Sequence, residues 1–458
     1  MFLRQECLLW VALVALLAAV APSDGSDLPQ DLTASAGGSI AARIVENLDA
    51  QALREILEEV LSRNPGLAAA EARARAAGLR APQARALPDP VVNLAAFAAS
   101  PETRTGPQRL SVGFSQQLPG LGKLALREQV ALHGAAVVRS EVEAQRLKLI
   151  TEARHLYYEI GLQVRLREIS ERSRAHLVHH EEVSRSRYSS GGGSAQDVVK
   201  LQAEITRVDV DLLDIEARWV SLTARLNLLR NQTKGDPLQA ERSPTPDFVL
   251  NAQALRKIAL RLRPELTAAD ARIARARVLT RLAEKGRRPN FKIGLSYTFV
   301  DPRDDAPGRL LPPEGNGDDI IEFQGGITLP VWRKSLTAGV EEAIEHQNAT
   351  EEAKRHLVNE IEAAVGDLTQ GASLARRQIR LVEDLLIVQA EEALDSARAG
   401  YIVGTLNALD LLHAVHMVFE AHTAMARAEF DYLVALAQLE AAVGGSLSTI
   451  TTRERAEP

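Results

Sequence analysis

Cysteine is almost missing: Cys7 is the only one in 458 residues. A single thiol excludes an intramolecular disulfide framework. Aromatic residues are scarce at 4%, which fits long helices with closely packed seams better than a compact globule. Beyond the N-terminus no uninterrupted apolar stretch approaches the about 20 residues of a membrane-spanning helix, so any crossing must be made with strands. Proline is absent from 123–189 and again from 334–399, and both stretches read as helix throughout. An excess charge of one sign is missing too. Lys plus Arg number 54 against 60 Asp plus Glu, a formal charge of −6 with no polybasic arm, and nucleic acid is not an expected partner.

The extended apolar run that is present, Leu8 to Ala21, follows Arg4 and ends in small residues around Val20-Ala21-Pro22-Ser23. It reads as a secretory signal over about residues 1–25. Cys7 precedes the run behind Arg4-Gln5-Glu6, which is not the setting of a lipid-bearing cysteine.

The strongest pattern is a duplication. Tyr188-x-x-Gly191-x5-Asp197 recurs 213 positions later as Tyr401-x-x-Gly404-x5-Asp410. Each copy precedes an apolar stripe stepping by three and four: Val198, Leu201, Ile205, Val208, Leu212, Ile215, Trp219, Leu222, Leu226 and Leu229, then Leu411, Ala414, Val418, Ala421, Met425, Ala428, Tyr432, Ala435, Leu439 and Ala442. Such stripes predict coiled-coil-like helices, and the shared register makes the repeat a structural unit.

Two halves follow, each a helix, a hairpin, a long helix and a helix. The first spans 51–232, with a hairpin at 90–118, a long helix at 123–189 and a helix at 195–231. The second spans 250–446, with a hairpin at 289–330, a long helix at 334–399 and a helix at 405–444. A linker at 233–249 joins them, and a tail at 447–458 ends the chain. In the second hairpin, Phe291, Ile293, Leu295, Tyr297 and Phe299 alternate with Lys292, Gly294, Ser296 and Thr298, the period of a strand with one apolar face. Leu110, Val112 and Phe114 repeat this more faintly, with Pro90 to Ala99 as the partner strand. A membrane barrel uses such strands; a soluble half-buried sheet reads the same on alternation alone. The polar loop Asp301 to Asp319 favours the barrel. A rod of about 67 residues would run roughly 100 Å.

Four strands cannot close on themselves, and an open edge in hydrocarbon leaves backbone groups unpaired at several kcal/mol each. Two copies would give eight strands, filled by their own side chains; three give twelve and a lumen. The expected fold is therefore mainly α with a small β part, four strands per chain contributing to a 12-stranded homotrimeric barrel above a helical coiled-coil tunnel.

These features resemble the TolC family of outer-membrane efflux channel-tunnels over nearly all of the chain after the signal. The family's marks are Leu87-Pro88-Asp89-Pro90, Leu118-Pro119-Gly120-x-Gly122-Lys123, the echo Leu329-Pro330 with Lys334, and both Tyr-x-x-Gly-x5-Asp motifs. The Pro-Gly-x-Gly-Lys wording looks most like the heavy-metal and cation efflux branch. The resemblance implies an outer-membrane trimer reaching into the periplasm, serving as passive exit for an inner-membrane pump, RND type by the branch, through a periplasmic adaptor. It implies that Tyr188, Gly191, Tyr401 and Gly404 form the periplasmic tip that docks the adaptor, and that Asp197 and Asp410 line the constriction. Some family members carry a basic residue where Leu406 stands and an acid where His413 stands, so a salt-bridged lock does not carry over; Glu391, Glu392 and Asp395 lie along the same helix.

Each site residue has a plainer reading. Asp197 and Asp410 stand near helix starts, where a carboxylate caps free N–H groups. The two tyrosines could simply pack the hairpins, and the two glycines serve the turns. His176, His179 and His180, with His413 and His416, share helical faces, but no Cys or third well-placed acid accompanies them. They read as solvated positions, with a zinc or copper site as the alternative reading, and no cofactor is expected. Gly120-Leu121-Gly122-Lys123 is not a phosphate loop, because Leu124 stands where Ser or Thr would bind the metal. No catalytic fingerprint appears. The rival to a channel is a soluble periplasmic coiled-coil adaptor.

Overall fold

The computed structural model describes residues 39–48, 50–232, 238, 240 and 243–448. The expected signal at 1–25, Cys7, part of the linker and the end of the tail lie outside the described residues.

In chain order, a short helix α1 (Ile40–Glu46) leads into α2 (Gln51–Arg63), α3 (Pro65–Gly78) and α4 (Arg80–Arg85). The strands β1 (Val91–Ala96), β2 (Glu102–Thr103) and β3 (Gly106–Leu118) follow. The rod α5 (Lys123–Ser189) and α6 (Ala195–Leu229) complete the first half. The second half repeats this with α7 (Ala252–Leu262), α8 (Pro264–Lys285), β4 (Asn290–Val300), a one-turn helix α9 (Ala306–Leu310) and β5 (Ile320–Thr328). Its rod is α10 (Arg333–Leu381), a π-helical turn (Val382–Leu386) and α11 (Ile387–Val403), and α12 (Ala408–Val443) closes the half.

Local chemistry sets these boundaries. Pro65 and Pro264 sit at the first helical position, where a missing N–H costs nothing, and the residues before them, Asn64 and Arg263, are extended. Gly122 is left-handed with φ of +84° and turns β3 into α5. Lys123, almost buried, pins that hinge: its Nζ donates to Arg288 O and Asn290 Oδ1, both at 2.8 Å. The same Asn290 oxygen accepts from Gly120 N at 3.0 Å.

The sheet runs β1-β3-β4-β5, antiparallel throughout, with β2 pairing only the turn end of β3. Its register gathers one chemistry on each face. Val92 opposes Phe114 and Leu94 opposes Val112, while Phe114 opposes Leu295 and Leu295 opposes Phe323. On the other face Thr298 Oγ1 donates to Ser111 Oγ at 2.9 Å and Ser296 Oγ to Glu322 Oε2 at 3.2 Å. The apolar face is bare: Leu94 is 72% and Phe323 82% exposed. An uncovered face of this kind marks a contact with a membrane or a partner, and its alternation with a polar face is that of a barrel wall. Strands β1 and β5 are open edges.

Four apolar clusters hold the described helices, the smallest packing Leu67 and Ala70 against Val142. One packs Tyr157, Ile160, Leu57 and Leu226 with Ala437. The second packs Ile361, Val365, Tyr432 and Leu439, and the third lies near the helix turns around Leu177, Leu201, Tyr401 and Leu411. Between the halves, the Arg154 side chain of α5 meets Glu440 of α12 at 2.5 Å, both almost fully buried, and Glu440 also accepts from Leu447 N at 2.9 Å. The described linker residues are tied down as well: Trp219 Nε1 donates to Leu238 O at 3.1 Å and Tyr432 Oη to Pro246 O at 2.7 Å.

The structure differs from the sequence reading in several places. The second rod is not one α-helix but carries the π turn, and it continues past residue 399 to Val403. The first helical segment breaks again at Leu79, ahead of Pro82. Helices α1 and α9 were not expected from the sequence.

Candidate functional site

The two helix turns that end the rods lie side by side. Both are built alike: Gly191 and Gly404 adopt φ of +81° and +82°, and the following N–H closes back five residues, Gly192 N to Arg187 O and Thr405 N to Gly400 O, each at 2.9 Å. This is a C-terminal cap that glycine accommodates without strain. Gly193 is held closely too, since a Cβ there would lie 3.0 Å from Tyr188 N.

The next helices start with different caps. Ser194 Oγ accepts from Gln196 N at 3.1 Å to open α6. Asn407 and Asp410 form a reciprocal capping box on α12: Asn407 Oδ1 accepts from Leu409 N and Asp410 N, and Asp410 Oδ2 accepts from Asn407 N at 3.2 Å. The plainer reading of Asp410 is thus present in the fold, with its carboxylate still exposed. Asp197 lies in the first turn of α6, half-buried, with Ser194 serving as the cap. It lines the crevice between the turns with Ser184, Arg187, Tyr401 and Asn407.

The tyrosines part company. Tyr401 is buried at 7% exposure, while Tyr188 is 53% exposed. Tyr401 Oη bonds Ser184 Oγ at 2.8 Å, its carbonyl accepts from Arg187 Nη1 at 2.9 Å, and the Arg187 guanidinium stands 4.8 Å from its ring centroid. A cation over an aromatic face adds to the packing. Ser184 and Arg187 therefore belong to the site and were missed by sequence reasoning; the available signal was only that they sit one helical turn or less before the motif tyrosine. Near them Glu181, buried at 7% exposure, accepts from Arg185 and from Gln202 Nε2 at 2.8 Å. The Arg185 bond holds its carboxyl below the usual range.

One turn further from the tip, α5, α11 and α12 enclose a groove lined by Arg172, His176, Glu391, Asp395, Arg398 and His422. Glu391 stands 3.7 Å from His422 and Asp395 3.6 Å from Arg398. The expectation that the histidines are all solvated fails for His180. It is 8% exposed, its Nε2 has no partner, and burial, with Arg398 nearby, pushes its pKa down to about 4. His416 does face solvent, beside Glu420 at 3.1 Å. Among the described residues no three His, Cys, Asp or Glu are grouped to hold a metal ion.

The outer membrane efflux protein family model matches residues 56–232 and 255–445. The outer membrane protein TolC of Vibrio cholerae serotype O1 is 24% identical over 434 residues, 91% of this chain and 95% of that one. Among solved structures, CusC, described in connection with transmembrane channel formation, superposes with a TM-score of 0.74 at 17% identity, over 87% of this chain and 93% of CusC. The outer-membrane channel OprN gives 0.72 at 16% identity, covering 89% and 93%. VceC of Vibrio cholerae gives 0.69 at 21%, covering 86% and 97%.

Proposed function

Because this chain belongs to the outer membrane efflux protein family, and so to the exit channels of the outer membrane, we propose that three copies close one twelve-stranded barrel over a helical tunnel. The carrying observation is the four-stranded sheet with two open edges and a bare apolar face, set on rods of 67 residues and more. One chain leaves the β1 and β5 backbone groups unpaired, which hydrocarbon does not tolerate; three are the fewest copies that leave a lumen.

In this reading the conduit is passive. An inner-membrane pump, RND type, delivers the cargo, and a periplasmic adaptor docks at the turns around Tyr188, Gly191, Tyr401 and Gly404. Asp197 and Asp410 narrow the tunnel at that end, and engagement of the adaptor moves the helices as rods to widen it. For the cargo we propose heavy-metal cations, on the wording of Pro119-Gly120-x-Gly122-Lys123. A carboxylate ring suits such cargo, since it attracts cations and hinders anions. A freely soluble adaptor is disfavoured by the bare apolar sheet face.

The test is single-channel conductance in a planar bilayer. Asp410→Asn keeps an acceptor for Asn407 N while removing the charge, so the cap survives. Conductance should rise and block by multivalent cations should weaken; unchanged values would remove Asp410 from the constriction.

A further inference from the structure

The internal duplication makes a specific statement about the contact between copies. Inside one chain, the last strand of the first hairpin, β3, pairs with the first strand of the second, β4. Their counterparts, β5 and β1, pair with nothing on their outer edges. The counterpart of each residue can be read from the chain. Leu118-Pro119 answers Leu329-Pro330 at an offset of 211, which also carries Lys123 onto Lys334. Pro88-Asp89 answers Pro289-Asn290 at an offset of 201, and this offset keeps faces in phase, since Val92 and Leu94 then match Ile293 and Leu295.

Resting on the multi-copy barrel above, we propose that β5 of one copy pairs antiparallel with β1 of the next in the register of the β3–β4 pair, and that Lys334 of the first pins the junction through Asp89 of the second. Within the chain Gln116 opposes Ile293, Phe114 opposes Leu295 and Val112 opposes Tyr297. Between copies Ile327 therefore opposes Val92, Gly325 opposes Leu94 and Phe323 opposes Ala96. All six lie on the apolar face. A slip by one residue would set that face against the polar one, so the phase is strongly constrained.

The hinge chemistry supports the same pairing independently. Lys123 is buried against Asn290 and the Arg288 carbonyl. Its counterpart Lys334 is exposed, and so is Asp89, the counterpart of Asn290. The contact of a lysine with an uncharged Asn oxygen becomes a Lys–Asp pair, in which both partners carry charge, between copies.

The helices below leave matching faces. On α12, Ala426 and Leu433 line the groove against α5 with Tyr158 and Leu162. At the tip offset of 213 their counterparts on α6 are Leu213 and Val220, which are 65% and 58% exposed. The second rod presents Leu374 and Leu381, 49% and 61% exposed. A second copy turned about the barrel axis brings these two faces together head to tail, the contact type that closes a ring.

The experiment places cysteines in the full chain with Cys7→Ser, purified from membranes in detergent. Directly opposed antiparallel residues have Cα atoms about 4.5–5.5 Å apart, within disulfide reach, whereas a diagonal neighbour at about 7–8 Å is not. Oxidised Val92→Cys/Ile327→Cys should migrate as a covalent trimer, and Leu94→Cys/Ile327→Cys as a monomer. A covalent trimer from the diagonal pair, with none from the matched pair, would overturn the register while leaving the trimer standing. Covalent dimers alone would mean a two-fold contact and overturn the head-to-tail pairing. Native mass of the parent protein separates the two claims, because a monomer there defeats the barrel itself. Should the cysteine variants fail to fold, the charges decide: Asp89→Lys should lose most of the trimer on native gels and Asp89→Lys/Lys334→Asp should regain it. An Asp89→Lys variant as trimeric as the parent would remove the pin.

Discussion

The buried ion pair that joins the two halves lends itself to a quantitative test. Arg154 and Glu440 are 286 positions apart, their side chains are 5% and 9% exposed, and the guanidinium also lies 3.3–3.4 Å from Tyr158 Oη. The carboxylate divides its oxygens between Arg154 and Leu447 N. Glu440→Gln keeps an acceptor for Leu447 N and removes only the charge, which leaves a buried guanidinium uncompensated. Breaking a buried pair from one side costs roughly 3–5 kcal/mol, and the retained amide oxygen places this variant near the lower end, about 3 kcal/mol. Arg154→Met strands the carboxylate and should cost a similar amount. The double variant Arg154→Met/Glu440→Gln strands neither charge, and an apolar replacement of a buried pair is often neutral. Its loss should therefore be well below the sum of the singles. Urea unfolding in detergent, followed by far-ultraviolet circular dichroism, reads this from midpoints at unchanged slope. A Glu440→Gln midpoint equivalent to less than about 0.5 kcal/mol, or a double variant as unstable as the two singles summed, would refute the argument.

Two further outcomes follow from single sites. His180 is held neutral, its pKa lowered toward 4, and His176 and His422 are lowered by burial as well; Arg172 and Arg398 face them, with Glu391 and Asp395 across the groove. A depressed histidine contributes stability above its unfolded value of about 6.5 and loses it as pH falls toward the folded one. Hydrogen-exchange protection at the tip, with the base-catalysed intrinsic rate divided out, should thus fall between about pH 7 and pH 5, and His180→Leu should flatten that dependence; an unchanged slope would clear His180. Gly106, at φ of +131°, would place a Cβ 1.8 Å from Asp301 O. Gly106→Ala should lower the yield of heat-modifiable assembled protein, while Gly78→Ala, which meets nothing within 4 Å, should not; equal yields would show that the hairpin crossing tolerates a side chain.

Much of the architecture was legible because its signals are local and periodic. The rod α5 begins at Lys123, behind a left-handed glycine, and runs without proline to Ser189. Pro65 and Pro264 mark helix starts, and the alternation in β4 is the two-faced strand itself. What stayed hidden depends on distance in sequence. Nothing local says that Tyr401 is buried against Ser184 and Arg187 while Tyr188 is exposed, because the difference lies in what the opposite hairpin supplies. Nor does helical spacing reveal that His180 points inward. The π turn did leave a trace: Lys334 to Tyr401 is two residues longer than Lys123 to Tyr188, and a single wider turn takes up one of the two extra residues without losing the buried face of the helix.

The unequal tyrosines also bear on how a duplicated chain makes a ring. If both halves had kept the same residues at every counterpart position, contacts inside a chain and between copies would be interchangeable, and a twofold or open arrangement could compete with closure. Here they differ in chemistry. The in-chain hinge uses Lys123 and the neutral Asn290, whereas the proposed junction sets Lys334 against the charged Asp89. At the tip, Arg187 covers the ring of Tyr401, and the counterpart of Arg187 at the same offset is Gly400, which offers Tyr188 no cation. The in-chain hinge thus uses an uncharged acceptor and the tip a cation–π contact, whereas the proposed junction sets opposite charges against each other. Charged groups at a junction favour the matched partner over a wrong one, because like charges brought together are penalised. Divergence between the halves therefore gives the ring its direction: each copy offers lysine on one edge and aspartate on the other.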